Sequence, residues 1–155
     1  MKELILTQGK VALVDDEDFD ELSKNKWSAH WGRGKWYAIR NKRINGKCNI
    51  IYLHRQIMKT PVNLIVDHKD GNGLNCQKCN MRNCTQSQNM MNSYCKRQNK
   101  GTSMNWCKTK YTAQINIEGR QIYLGSFNTE VEAAEAYNKA AVIYFGEFAR
   151  LNAVG

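Results

Sequence analysis

The chain has 155 residues, of which 42% are hydrophobic and 24% charged. That composition folds, which excludes a disordered tail, and the length allows one ordinary domain or two or three very small ones. Apolar runs such as Leu64-Ile65-Val66 are far too short for a membrane-spanning helix, and the N-terminus, Met1-Lys2-Glu3-Leu4-Ile5, lacks the apolar core and cleavage site of a secretory signal. The expectation is a cytoplasmic protein, neither secreted nor membrane-bound.

The 23 Lys and Arg against 14 Asp and Glu leave a net charge of +9, and that charge is unevenly spread. Residues 1–21 carry 2 basic and 7 acidic side chains, whereas residues 22–66 carry 10 basic and no acidic ones. A stripe of this kind points to nucleic acid, because each Lys or Arg that meets a phosphate releases condensed counterions. Arg33, Lys35, Arg40, Lys42 and Arg43 are its candidate contacts with double-stranded DNA. The six cysteines, in a chain without a signal, read as reduced thiols. Cys76-x-x-Cys79 with Cys84 raises a structural zinc site, but a ribbon needs a second close pair, and ten residues separate Cys84 from Cys95. Structural zinc is therefore not expected.

Residues 1–60 read as a β-rich section. Leu4-Ile5-Leu6, Lys10 to Val14 and Trp36 to Arg40 are short runs of strand formers. Gly9, Gly32-x-Gly34 and Asn45-Gly46 punctuate them, the last being a strong hairpin signal. Asp15 to Leu22 is acidic and starts a short helix, where negative charge suits the positive end of the dipole. Ile50 to His54 resumes an extended run.

Residues 61–95 form the next section. Val62 to His68 is extended and ends in Asp67-His68, Asp70-Gly71-Asn72-Gly73 is a turn, and Thr85-x-x-Gln88 is a capping box that opens a helix carrying Asn89. Residues 96–103 read as a basic linker, and 104–152 as a last section. There, Ala113, Ile115 and Ile117 alternate with Thr112, Gln114 and Asn116 along one strand. Glu118-Gly119 turns the chain into a second strand. A helix capped by Thr129-x-x-Glu132 then repeats Ala134, Tyr137, Ala141 and Phe145 at helical spacing up to Gly146. One helix packs on one sheet and leaves the other sheet face open.

The chemistry concentrates at Asp67-His68: a hard oxygen for a divalent cation beside a base that titrates near neutrality. Asn80 follows twelve residues after the histidine and Asn89 twenty-one after it.

Leu53-His54-Arg55, Val66 to Asn75, Asn80-Met81-Arg82 and Gln88-Asn89 resemble the HNH endonucleases of phages and mobile introns, over about residues 1–93. The resemblance implies a ββα-metal core. It assigns His68 as the general base, Asp67 and Asn89 as ligands of one metal ion per site, and Asn80 as the residue that shapes the loop. With Asn89 in the third signature position the donors are oxygens, which favours Mg²⁺ or Mn²⁺. His54 and Arg55 are candidate DNA contacts. The C-terminal runs Lys100 to Ser103, Tyr111 to Ile115, Tyr123 to Phe127 and Glu132 to Ala141 are similar to the apetala-two (ethylene-response-factor) DNA-binding domain. That likeness implies a three-stranded sheet in the major groove backed by a helix. It makes Thr112, Gln114, Asn116 and Tyr123 candidate base readers, with Trp106, Lys108, Lys110 and Arg120 nearby.

The fold expected is therefore α+β: a β-rich start, a ββα-metal nuclease core, and a C-terminal three-stranded antiparallel sheet with one packed helix. The function expected is a site-specific homing endonuclease that acts as a monomer without a protein partner and nicks one strand. The alternative is a non-catalytic DNA-binding regulator on the same scaffold.

Overall fold

The computed structural model describes residues 1–93 and 99–154, an α+β protein in two compact units, Met1–Gln86 and Ser87–Gly155. Of the expected 96–103 linker, residues 96–98 lie outside the described residues, as does Cys95. Among the described residues no helix is long and apolar enough to cross a membrane.

The first unit opens with an antiparallel hairpin, β1 (Lys2–Ile5) and β2 (Val11–Val14). Alternation in Val-Ala-Leu-Val sends Ala12 and Val14 into the core. The acidic run folds as α1 (Asp16–Ser23) with Asp16, Glu17 and Asp18 in its first turn. Its carboxylates also anchor a distant loop: Asp15 accepts from the Lys78 backbone at 2.8 Å, and Asp18 takes the Lys78 ammonium at 3.0 Å. A meander follows, β3 (Ser28–Gly32), β4 (Lys35–Ile44) and β5 (Lys47–Tyr52), in the order β3-β4-β5. Its tight turns place Arg33 with Gly34, and Asn45 with Gly46, at positive φ, the geometry that matches the twist of paired strands.

β3 pairs with β4 only up to Ser28 opposite Ile39, whereas β4 and β5 continue together to Ile44 opposite Lys47. Asn41 to Ile50 are consequently exposed on both faces, a two-stranded ribbon that reaches beyond the sheet. The extended run expected through His54 stops at Tyr52. Leu53–Met58 is a helix, α2, because Leu53, Ile57 and Met58 fall on one side of a helical turn and pack into the core together. Lys59 in the left-handed region ends it, and the Arg55 guanidinium donates to the carbonyls of Thr60, Pro61 and Leu64 just beyond. A second hairpin, β6 (Ile65–His68) and β7 (Met81–Cys84), closes the unit. Trp27, Leu22, Leu53, Cys76 and Met81 join β1 and β2 in one core, and burial pushes the Cys76 thiol up to about 12.

The helix α3 (Gln86–Met91) begins one residue after Thr85, and from Ser87 onward its residues group with the second unit. That unit is a three-stranded antiparallel sheet, β8 (Thr102–Met104), β9 (Tyr111–Ile117) and β10 (Arg120–Phe127), in the order β10-β9-β8. It packs against α4 (Glu130–Phe145). Thr129 and Glu132 form the expected capping box, and Gly146 ends the helix at positive φ. Ile115, Tyr137, Ala141 and Phe145 make the core, with Met91 of α3 packed on it. Gly101 allows the approach to α4: a Cβ there would lie 2.0 Å from the Tyr137 ring.

Candidate functional site

Asp67 and His68 are the last residues of β6, and both are buried, at 4% and 7% exposure. Strand register puts Asp67 opposite Arg82 and His68 opposite Met81. The Arg82 guanidinium therefore reaches Asp67 across the hairpin, donating to Oδ2 from Nη2 at 2.7 Å and from Nε at 2.9 Å.

The loop between β6 and β7 is tied from inside by two residues. Asn80 Oδ1 accepts from the Asp70 backbone at 3.1 Å, and its Nδ2 donates to Asp70 Oδ1 and the Asn75 carbonyl at 3.0 and 2.9 Å. Asp70 also accepts from the Asn72 backbone and from Asn75 Nδ2, both at 2.8 Å. Burial raises the Asp70 carboxyl, but these bonds and the nearby His68 outweigh it and leave the group below the usual carboxylate range. The loop lies close on the sheet at Gly73, where a Cβ would come within 2.5 Å of the Trp36 carbonyl.

Four rings surround the strand end. His54 of α2 meets His68 edge-on, centroids 5.2 Å apart and planes at 85°. Tyr37 lies 5.5 Å from His54 and 6.3 Å from His68, and Tyr52 lies 5.3 Å from His54. Burial lowers His54 to about 3, helped by His68 and Arg55. Burial likewise lowers His68 to about 4, with Asp70 and Asp67 opposing and Lys35 assisting. Both imidazoles are therefore neutral near pH 7.

The expected DNA-contact residues are placed differently from one another. Arg33 and Lys35 are exposed at the β3–β4 turn, near enough to act electrostatically on Tyr37 and His68. Lys42 and Arg43 stand on the exposed ribbon. Arg40 is half-buried, bonded to Gln56 and Asn25 and stacked over Trp27. Arg55 holds its three carbonyls, and His54 is buried. In the second unit, Trp106 is 98% exposed, and Lys108, Lys110, Asn116, Arg120 and Tyr123 are exposed as well. Thr112 and Gln114 are half-buried; Thr112 bonds to Ser103, and Gln121 donates to Gln114. Asn89 lies on α3 in the second unit, whereas Asp67 and His68 lie in the first.

No family model matches the chain. An uncharacterised HNH endonuclease of Acanthamoeba polyphaga mimivirus is 31% identical to it over 143 residues, covering 88% of this chain and 75% of the relative. The chain belongs to the HNH endonuclease family. In this HNH protein Asp67 carries a carboxylate oxygen and Asn89 an amide oxygen, each a hard donor of the kind that suits Mg²⁺ or Mn²⁺ better than zinc. Among the described residues no three His, Cys, Asp or Glu side chains gather at one point.

Two residues of the HNH hairpin have partners that sequence reading did not assign. Asp70 is the hub of the loop rather than only a turn residue, and Arg82 neutralises Asp67. The signal for Arg82 was present, since Asn80-Met81-Arg82 stood in the motif. Only strand register shows what that arginine faces.

Proposed function

We propose that this HNH protein is a metal-dependent, site-specific DNA endonuclease of the homing type that nicks one strand of double-stranded DNA as a monomer. The observation that carries the reading is a buried, neutral histidine beside a buried carboxylate, at a strand end whose loop is tied by Asn80, in a chain of this family. His68 takes a proton from the attacking water, a role worth about 10²–10⁴-fold in rate. Its burial keeps the imidazole unprotonated and ready to accept. Asp67 and Asn89 are the residues that would hold one Mg²⁺ or Mn²⁺, which supplies positive charge to the phosphate and the departing oxygen. The ribbon and the β3–β4 turn offer Lys42, Arg43, Arg33 and Lys35 to phosphates. The second unit, which we read as an apetala-two-like module, offers Thr112, Gln114, Asn116 and Tyr123 to base edges, flanked by Trp106, Lys108, Lys110 and Arg120.

A second reading, a DNA-binding regulator without catalysis, draws on the Asp67–Arg82 pair, because an arginine already neutralises that carboxylate. One experiment separates the two. Supercoiled plasmid carrying the host locus is incubated with the full chain, with and without Mg²⁺ or Mn²⁺. Conversion to open circles only with metal supports the nuclease. Intact plasmid together with a retarded complex on a gel supports the regulator.

A further inference from the structure

The mechanism uses His68 and leaves a second buried imidazole beside it without a task. His54 is the second residue of α2, 8% exposed, and its Nδ1 has no hydrogen-bond partner among the described residues. Leaving a buried polar atom unpaired is costly, so hydrogen bonding among the described residues does not explain this histidine. Its surroundings do. The His54 ring meets His68 edge-on at 5.2 Å, nearer than the Tyr37 ring at 6.3 Å. Tyr37 and Tyr52 in turn hold His54 at 5.5 and 5.3 Å. Leu53, fully buried beside it, anchors the helix that carries it. Perpendicular rings at this separation attract through their quadrupoles and fix each other's planes.

We propose that His54 is a positioning residue whose ring, braced by Tyr37 and Tyr52, sets the plane of the His68 imidazole. The inference rests on the reading of His68 as the general base. A base acts only when its nitrogen lies within hydrogen-bond reach of the proton it takes. Rotation of an unsupported ring moves that nitrogen, and a displacement of about 1 Å costs on the order of 10²-fold. The ring, not its nitrogen, carries the function, so phenylalanine replaces it and a flexible amide does not.

The test uses full-length His54→Ala, His54→Phe and His54→Gln in the metal-dependent plasmid-nicking assay, with thermal melting to confirm that each is folded at the assay temperature. His54→Ala is expected to lower kcat by roughly 10–100-fold with KM unchanged, and His54→Phe to recover most of that loss. The readout that a merely structural role would not move is the split between kcat and KM, with its rescue by phenylalanine in variants that melt as the wild type does. Wild-type kcat in His54→Ala overturns the inference. So does recovery by glutamine and not by phenylalanine, which would make the nitrogen the working part. A wild-type protein that cuts no DNA overturns the reading of His68 as a base, a different failure from either of these.

Discussion

At the residue scale, Asp67 and His68 share a strand end but answer to different physics. Truncating His68 removes the proposed base from a ring cluster, so His68→Ala should cut nicking by about 10²–10⁴-fold while gel-shift affinity stays near wild type. Nicking at the wild-type rate would sink the assignment. Asp67→Ala should cost the fold as well, because it leaves the Arg82 guanidinium buried without its carboxylate; the side chains are only 4% and 11% exposed. Breaking such a pair costs about 3–5 kcal/mol, readable as a lower urea midpoint. His54 makes a separate prediction about pH. Burial holds its folded pKa near 3 against the usual 6.5, with His68 and Arg55 the charges that face it. The unfolded chain therefore takes up a proton that the folded chain refuses. The stability that the neutral ring contributes is whole above pH 6.5 and is lost as pH falls toward 3. The slope attributable to this residue is about 1.4 kcal/mol per pH unit. Denaturant titrations of His54→Phe between pH 6 and pH 4 should show a shallower decline than wild type by that amount; equal slopes would place the proton elsewhere.

The element that stands out is the β4–β5 ribbon. From Asn41 to Ile50 it is exposed on both faces, yet its register is continuous from Asn41 opposite Ile50 to Ile44 opposite Lys47. Pairing and the Asn45-Gly46 turn therefore maintain it without help from a core. A two-stranded ribbon has the width of the DNA major groove, and this one carries Lys42, Arg43 and Lys47. Replacing those three by glutamine should leave thermal stability unchanged, since no buried contact is lost. It should flatten the dependence of log affinity on log salt by about one unit for each phosphate contact removed. An unaltered salt slope would take the ribbon out of the DNA interface.

For the molecule as a whole, the net charge of +9 sets how affinity responds to salt. About six phosphate contacts give a log–log slope of roughly −5, and a nearly flat response would point to a different kind of partner. Selectivity should separate from cutting. Thr112, Gln114 and Asn116 replaced together by alanine in the full chain should narrow the gap between specific and non-specific DNA while metal-dependent nicking persists. Point substitution is the cleaner test than truncation at residue 100, because Met91 of α3 packs on the core that Ile115 and Tyr137 build. Loss of all nicking in the folded triple variant would argue against that division of labour.

Local chemistry was legible in the sequence wherever one rule outweighed its competitors. Asn45-Gly46 turned the ribbon, Thr129 with Glu132 capped α4, and the alternation of β9 buried Ala113 and Ile115, because turn, cap and period each depend on neighbours within a few residues. Asp67, His68 and Asn80 were candidates on the spacing of the motif alone, and the structure puts the first two at the end of β6 and the third inside the loop that follows. Two kinds of feature were not legible in the sequence. The extended reading of Leu53-His54 gave way to a helix because packing of Leu53, Ile57 and Met58 into a shared core outweighs local strand propensity. The partners of the site came only from folding: Arg82 reaches Asp67 through strand register, and His54 reaches His68 because α2 carries its ring to the end of β6. Fourteen positions separate those two histidines in the chain, and no local preference links them. Contact between distant residues is decided by which surfaces the chain buries together, so the tertiary structure alone determined what surrounds His68.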